Sequence, residues 1–320
     1  MKLLGSFSPL RSAGGTMTVA LIEMKARLHE ITLPVRDYDL DATLTSGQAF
    51  GWERGASGWM GVVTGRWVEL SSGLTGIQAR TVVNPGGWNW LRDFLQTEVR
   101  LAEVIRTFPA DDEHLQQAVQ ACRGLRLLRQ EPWECLASFI LSSTKQIVQI
   151  RQIVQLLRER FGSPVSVREG VAPVFAFPTA AQLAGLTEAD LRACKMGFRA
   201  PYLLAAARRV KAGEIDLVAI GGMELAAARE QLLRFEGVGE KIADCVLLFA
   251  YGFPTAFPVD VWVRRVLVDF YFRKRQVSPE RLRRFIEKHF GPHAGYAQQY
   301  LFHHIRTMPA KKLSIPKAAP

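Results

Sequence analysis

Apolar and polar residues alternate along Arg66-Trp-Val-Glu-Leu70 and again from Ile77 to Val82, with Gly and Ser between the two runs. A period of two bounded by turn residues predicts strands, so 58–83 reads as antiparallel sheet. From Trp88 onward the period lengthens to that of helices. Ile147, Ile150, Val154, Leu157 and Phe161 form one apolar stripe, which predicts a helix of several turns facing a core rather than a ligand. Thr187 with Asp190 predicts a capped helix start, Gly197 a stop, and Ser278-Pro279 a start with proline at the first helical position. The chain is therefore expected to be α+β and mainly α. A small antiparallel β domain with flanking helices is placed at residues 28–115, packed on a helical body at 116–310. Residues 1–27 read as a loose tail, with Met17 and Met24 as alternative initiators, and 311–320 as a basic tail.

Between two apolar-periodic stretches, roughly Met223 to Arg234 and Glu240 to Tyr251, stands Phe235-Glu-Gly237-Val-Gly239. That pattern predicts helix, tight turn, helix. Glycines permit positive φ and close backbone approach, and the first-turn N–H groups of the second helix offer a place for an anion such as a DNA phosphate. Lys241 falls in that first turn, where a cation opposes the helix dipole and so is not explained by helix stability. It is either a phosphate contact or an amine whose basicity is lowered for nucleophilic attack. Nineteen residues on, Pro258-Val-Asp260 precedes another apolar-periodic helix. Asp260 is either only an N-cap or a carboxylate that capping N–H groups keep ionised, suited to facing positive charge on a sugar.

Composition sharpens the choice of partner. The 320 residues carry a net charge of +11, of which residues 261–320 hold +10 and the preceding 260 only +1. A basic surface beginning right after Asp260 suits a polyanion, with Arg264, Arg265, Arg273, Lys274, Arg275, Arg281, Arg283 and Arg284 as phosphate candidates. Such a run is also what an ordinary solvated face looks like. Cys122, Cys135, Cys194 and Cys245 show no C-x-x-C spacing, and His303-His304 stands without an H-E-x-x-H pattern. Neither disulfides nor a metal are expected, and no cofactor. No apolar run reaches the length of a membrane helix.

Six blocks in order resemble a known family. They are Leu44-Thr-Ser-Gly47-Gln-Ala-Phe-Gly-Trp52, the stretch from Gly124 through Cys135 to Ile140, Met196-Gly-Phe-Arg199-Ala, the hairpin with Lys241, Pro258-Val-Asp260, and Gly295-Tyr-Ala-Gln298-Gln-Tyr-Leu-Phe302. Together they resemble the helix-hairpin-helix DNA glycosylases with a Gly/Pro-rich loop and closing aspartate (HhH-GPD), and within them a bacterial-type 8-oxoguanine DNA glycosylase/AP lyase. The resemblance runs from about Leu44 to Thr307. It implies that Lys241 attacks C1′ of an extruded nucleotide, expels the base and leaves a Schiff base that permits β-elimination, with Asp260 activating that step. It implies that Cys245 and Phe302 sandwich the damaged base, Gln298 reads its Watson–Crick edge, and the Gly47 carbonyl accepts from N7–H. Guanine has an acceptor at N7 where 8-oxoguanine has a donor, so such a carbonyl accepts one and repels the other. Read without the resemblance, Cys245 and Phe302 fit a core, Gln298 a helix surface and Gly47 a turn. No iron–sulfur cluster is expected, since the cysteines are not closely spaced. The implied partner is duplex DNA containing a damaged base, met by a monomer in a bacterial cytoplasm.

The departures from the family pattern gather where the opposite strand is recognised. Thr144-Lys145-Gln146 replaces an asparagine run at the wedge, and Gln149 stands where an arginine reads the estranged cytosine. The second cytosine reader, Arg199, is retained. Phe198 replaces an intercalating tyrosine, and Trp262 a phosphate-contacting histidine. The resemblance thus implies intact chemistry and a relaxed preference for cytosine. Three other functions remain open: a monofunctional alkyl-base glycosylase, against which Lys241 counts; a glycosylase for another oxidised or deaminated base; and a non-catalytic DNA-binding module, which would leave Lys241 and Asp260 together unexplained.

Overall fold

The computed structural model describes residues 27–143 and 145–308. The alternative starts Met17 and Met24, the basic carboxy-terminal tail and Thr144 lie outside the described residues.

The alternating segment folds as read. Strands β1 (His29–Pro34), β2 (Glu53–Arg54), β3 (Trp59–Val63), β4 (Arg66–Gly73) and β5 (Gly76–Thr81) form one antiparallel sheet in the order β1-β5-β4-β3-β2. Helix α1 (Leu40–Thr45), capped by Asp39, interrupts it and delivers Gly47 to the edge of the helical body. The fully buried Gln48 fixes that loop: its Nε2 donates to the Thr43 and Arg126 carbonyls at 3.0 and 2.8 Å, and its Oε1 accepts from Leu128 N at 2.8 Å. A buried amide with both ends satisfied holds one backbone geometry.

Helices α2 (Asn89–Leu95), α3 (Leu101–Arg106) and α4 (Glu113–Ala121) follow the sheet. The core beneath the sheet takes Leu91, Phe94 and Leu95, whereas Leu101, Val104 and Leu115 belong to the larger helical core. That body continues with α5 (Pro132–Ile140), α6 (Ile147–Phe161), the short pair β6 (Pro164–Val165) and β7 (Val174–Phe175), α7 (Ala180–Ala184), α8 (Glu188–Arg192), α9 (Ala200–Lys211) and α10 (Leu217–Ile220). Thr187 and Asp190 make the capping box of α8 as predicted. Gly197 does not stop that helix. The chain leaves α8 after Arg192, Lys195 takes a φ of +62°, and Gly197, at +61°, opens a 3-10 turn at Gly197–Arg199. In α6, Ile150, Val154 and Leu157 enter the core and Phe161 packs half-buried at its edge, but Ile147 turns toward a cleft. Ile147 packs half-buried against the core and lines the cleft at the same time.

The last elements are α11 (Leu225–Leu233), α12 (Glu240–Val246), α13 (Val261–Tyr271), α14 (Pro279–His289) and α15 (Ala294–Thr307). Ser278 caps α14 with Pro279 first in the helix, as read. One π-helical turn, Leu247–Tyr251, continues α12 and ends at Gly252, whose φ of +71° closes it. The four cysteines are free and buried. Among the described residues, no helix is long and apolar enough to cross a membrane.

Candidate active site

Helices α11 and α12 form the hairpin that the glycines predict. Gly237 has a φ of +76°, and a Cβ there would stand 2.8 Å from the Tyr202 ring, so both conformation and packing require glycine. Gly239 caps α12 with nothing within 4 Å of where its Cβ would be, leaving that backbone facing open space. Arg229 clamps the hairpin through a 2.8 Å ion pair with Asp244. Burial nevertheless pushes the Asp244 carboxyl up to about 6, with Arg229 pulling it back.

Lys241 leaves the first turn of α12 and crosses to the end of α5. Its Nζ donates to Ser142 Oγ at 2.9 Å and lies 5.4 Å from the centroid of the Phe139 ring. Asp260 caps α13, accepting from Val263 N at 2.7 Å. The capping bonds do not set its ionisation alone. Burial is the largest influence and raises its pKa above the ordinary aspartate value, while the cap and the charge on Lys241 act the other way.

These two groups open on a cleft of about 580 Å³, which brings together all six residues assigned to catalysis and the base: Gly47, Lys241, Cys245, Asp260, Gln298 and Phe302. Gly47 has a φ of +85°, and a Cβ on it would sit 2.7 Å from Ile147 Cδ1 and 3.4 Å from Phe302 Cε1. It is a wall of the cleft, not only a turn. Gln298 is buried at 4% exposure, not a surface residue of α15, and its Oε1 has no partner among the described residues. An acceptor buried without a hydrogen-bond partner costs about 1–3 kcal/mol. Cys245 is buried as well, and its thiol is pushed up to about 12 chiefly by burial, despite the nearby charge of Lys241. It presents a neutral, soft surface.

Several contributors escape sequence reasoning. Phe249, on the π-helical turn, stacks on Phe139 at 5.6 Å, and both line the cleft with Phe50 and Ile147. Gln299 Nε2 donates to Ser46 O at 3.2 Å and so ties α15 to the Gly47 loop. Ser142 meets Lys241 across 99 positions of chain, a separation that leaves no local pattern to detect.

The residues expected at the DNA face are dispersed. Lys145 and Trp262 line the cleft mouth, with Val148 strongly exposed beside them. Gln149 is exposed, but its Oε1 accepts from Gln146 N at 3.1 Å and completes the capping box of α6. Phe198 is 56% exposed and lies 4.2 Å from the guanidinium of Arg199, which is itself buried. Arg264, expected at phosphate, donates one N–H to Val277 O at 2.8 Å and braces the loop before α14. Arg265 stands 3.6 Å from Asp269 one turn away. Arg283 pairs with Glu240 at 2.8 Å, on the exterior of the hairpin. A count of charges sees the cations and not the groups that already hold them.

A hairpin with an open glycine face, a lysine and a capping carboxylate on one cleft, and a buried unpartnered amide oxygen together make a cleft built for chemistry rather than a plain packing surface. Residues 30–136 match the model of the 8-oxoguanine DNA glycosylase N-terminal domain, and residues 137–292 that of the HhH-GPD superfamily base excision DNA repair proteins. A probable N-glycosylase/DNA lyase of Methanothermobacter thermautotrophicus is 31% identical over 302 residues, which span 86% of this chain and 95% of that one. N-glycosylase/DNA lyase OGG1 of Arabidopsis thaliana is 29% identical, over 93% of this chain and 83% of its own. The solved structure of the Clostridium acetobutylicum 8-oxoguanine glycosylase/lyase, in complex with double-stranded DNA containing cytosine opposite 8-oxoG, is similar with a TM-score of 0.79 at 30% identity, covering 86% and 97% of the two chains. The present chain belongs to the HhH-GPD superfamily of base excision DNA repair proteins, in its 8-oxoguanine DNA glycosylase branch.

Proposed function

We propose that this protein excises 8-oxoguanine from duplex DNA and then cleaves the strand at the abasic site, with Lys241 as nucleophile and Asp260 as its charged partner. The target must leave the stack, because neither C1′ nor the base edge is reachable inside it. The neutral amine of Lys241 attacks C1′ and the C1′–N9 bond breaks, its electron pair leaving with the base, which takes up a proton. The C1′–O4′ bond then opens to a protonated imine between Nζ and C1′. Loss of a proton from C2′ breaks the C3′–O bond and releases the 3′ phosphate, and water hydrolyses the imine. Asp260 faces the positive charge that develops on the sugar. Gln298 Oε1 accepts from the Watson–Crick edge, Cys245 and Phe302 hold the two faces of the base, and the Gly47 carbonyl accepts N7–H. The reading includes a monomer working in a bacterial cytoplasm.

The observation that carries it is the convergence of Lys241, Asp260 and the unanswered Gln298 oxygen on one cleft. Duplexes with 8-oxoguanine opposite C, A, G and T, incubated with and without borohydride, test it. Strand cleavage with a trapped covalent adduct is expected. DNA binding with neither cleavage nor adduct on any duplex would assign the cleft to another lesion or to binding alone.

A further inference from the structure

Lys241 is badly placed for its own helix. A cation in the first turn of α12 faces the positive end of that helix, and something else must hold it. The structure supplies three compensations, from α5 and the turn that follows it. Phe139 presents its ring at 5.4 Å, a distance at which a cation is attracted to the π face. The C-terminal end of α5, at Ile140, carries the negative end of a second dipole. Ser142 Oγ accepts from Lys241 Nζ at 2.9 Å.

The hydroxyl of Ser142 is itself directed. It donates to Phe139 O at 2.7 Å, so its hydrogen points away from Lys241 and its lone pairs point toward it. A carbonyl oxygen cannot take a proton at neutral pH, so this chain of bonds is no route for the lysine proton. What it fixes is position. Asp260, which also borders the cleft, feels the charge of Lys241, whereas Ser142 touches Lys241 directly. We infer that Ser142 is the positioning residue for the nucleophile, holding the Lys241 side chain extended toward the cleft through a hydroxyl oriented by the end of α5. The inference rests on Lys241 being the nucleophile.

A merely structural serine and a positioning one differ in what their loss changes. Ser142→Ala should slow borohydride trapping on a duplex with a preformed abasic site about ten-fold under single-turnover conditions, because preorganised geometry is lost. Affinity for that duplex should stay within two-fold, and Ser142→Thr, which keeps the hydroxyl, should restore most of the rate. A Ser142→Ala protein that traps within two-fold of wild type would overturn the inference, as would a Ser142→Thr protein as slow as the alanine variant. Thermal unfolding of both variants identifies a rate loss that comes from misfolding, and the threonine variant still decides the matter if alanine fails to fold. Wild-type protein run alongside separates the two levels: if it forms no adduct at all, Lys241 as nucleophile falls first.

Discussion

The base cleft and the dispersed residues expected to face DNA outside it, Gln149, Phe198, Arg199 and Arg264, use polar side chains in opposite ways. In the cleft, Gln298 keeps a buried amide oxygen unpartnered, Gly47 is fixed by the satisfied amide of Gln48, and Lys241 is held on Ser142. Outside it, Gln149 spends its oxygen on the α6 cap, Arg199 lies buried beside Phe198, and Arg264 is bound to Val277 O. The first region is organised before DNA arrives. In the second, some of these groups also hold the protein's own helices and loops in place. Preorganised charge and hydrogen-bonding groups lower a barrier without reorganising during the reaction, and of the two regions it is the cleft that offers them.

The largest expected effect breaks the cleft side at its centre. Lys241→Gln should abolish covalent trapping altogether while leaving binding to lesion DNA measurable, since the glutamine amide can still donate toward Ser142. Persistent trapping in this variant would move the nucleophile to another amine. Asp260→Asn comes next, with base excision slowed by a factor on the order of 10²–10³. Asparagine caps helices about as well as aspartate, so the melting temperature should barely move, and a loss of activity then reports charge rather than stability. The pH dependence carries a sign. Burial raises the Asp260 pKa, so its charge, and the rate that depends on it, is present above that raised value and lost as pH falls through it. The acid limb of the excision rate should therefore lie above the ordinary aspartate range and disappear in Asp260→Asn. A limb at the ordinary value would mean that the carboxylate acts from water and not from the cleft.

Gly47→Ala tests the wall of the cleft. The new methyl group meets Ile147 Cδ1 at 2.7 Å on a residue with a φ of +85°, so the Ile147 side chain or the loop must shift, and the left-handed backbone alone costs about 1–2 kcal/mol. Excision of 8-oxoguanine should fall roughly ten-fold or more, from a loss of about 1.4 kcal/mol or more in base contacts, whereas trapping at a preformed abasic site should persist. Equal losses in both assays would show that Gly47 shapes the whole cleft and not the base contact alone.

How much of this was legible from residue order follows the range of each interaction. Period and caps gave the sheet, the hairpin, the Thr187 box and the Ser278 start, because each is decided within a few positions. Asp260 was legible as a cap for the same reason, and its raised pKa was not, because burial depends on the elements packed over it. Gly197 misled because a glycine that opens a turn and one that ends a helix look alike in sequence. The base contacts came through resemblance: by itself α15 gives no sign that Gln298 is inside. Ser142 and Arg264 went unread because their partners, Lys241 and the Val277 carbonyl, are chosen by tertiary packing.

The smallest expected effect bears on the other half of the contrast. Gln149→Ala removes one member of the α6 capping box, a loss of about 0.5–1 kcal/mol, seen as a small drop in melting temperature. If Gln149 is committed to the helix, the ratios of excision rates opposite C, A, G and T should stay where they are in wild type. If the glutamine instead leaves its cap on DNA to read the opposite base, the ratios shift, and they shift without a matching loss of stability in the complex, because the cap was already broken there. The two outcomes separate a side chain that builds the helix from one that reads the strand, which a single measurement of overall rate could not do.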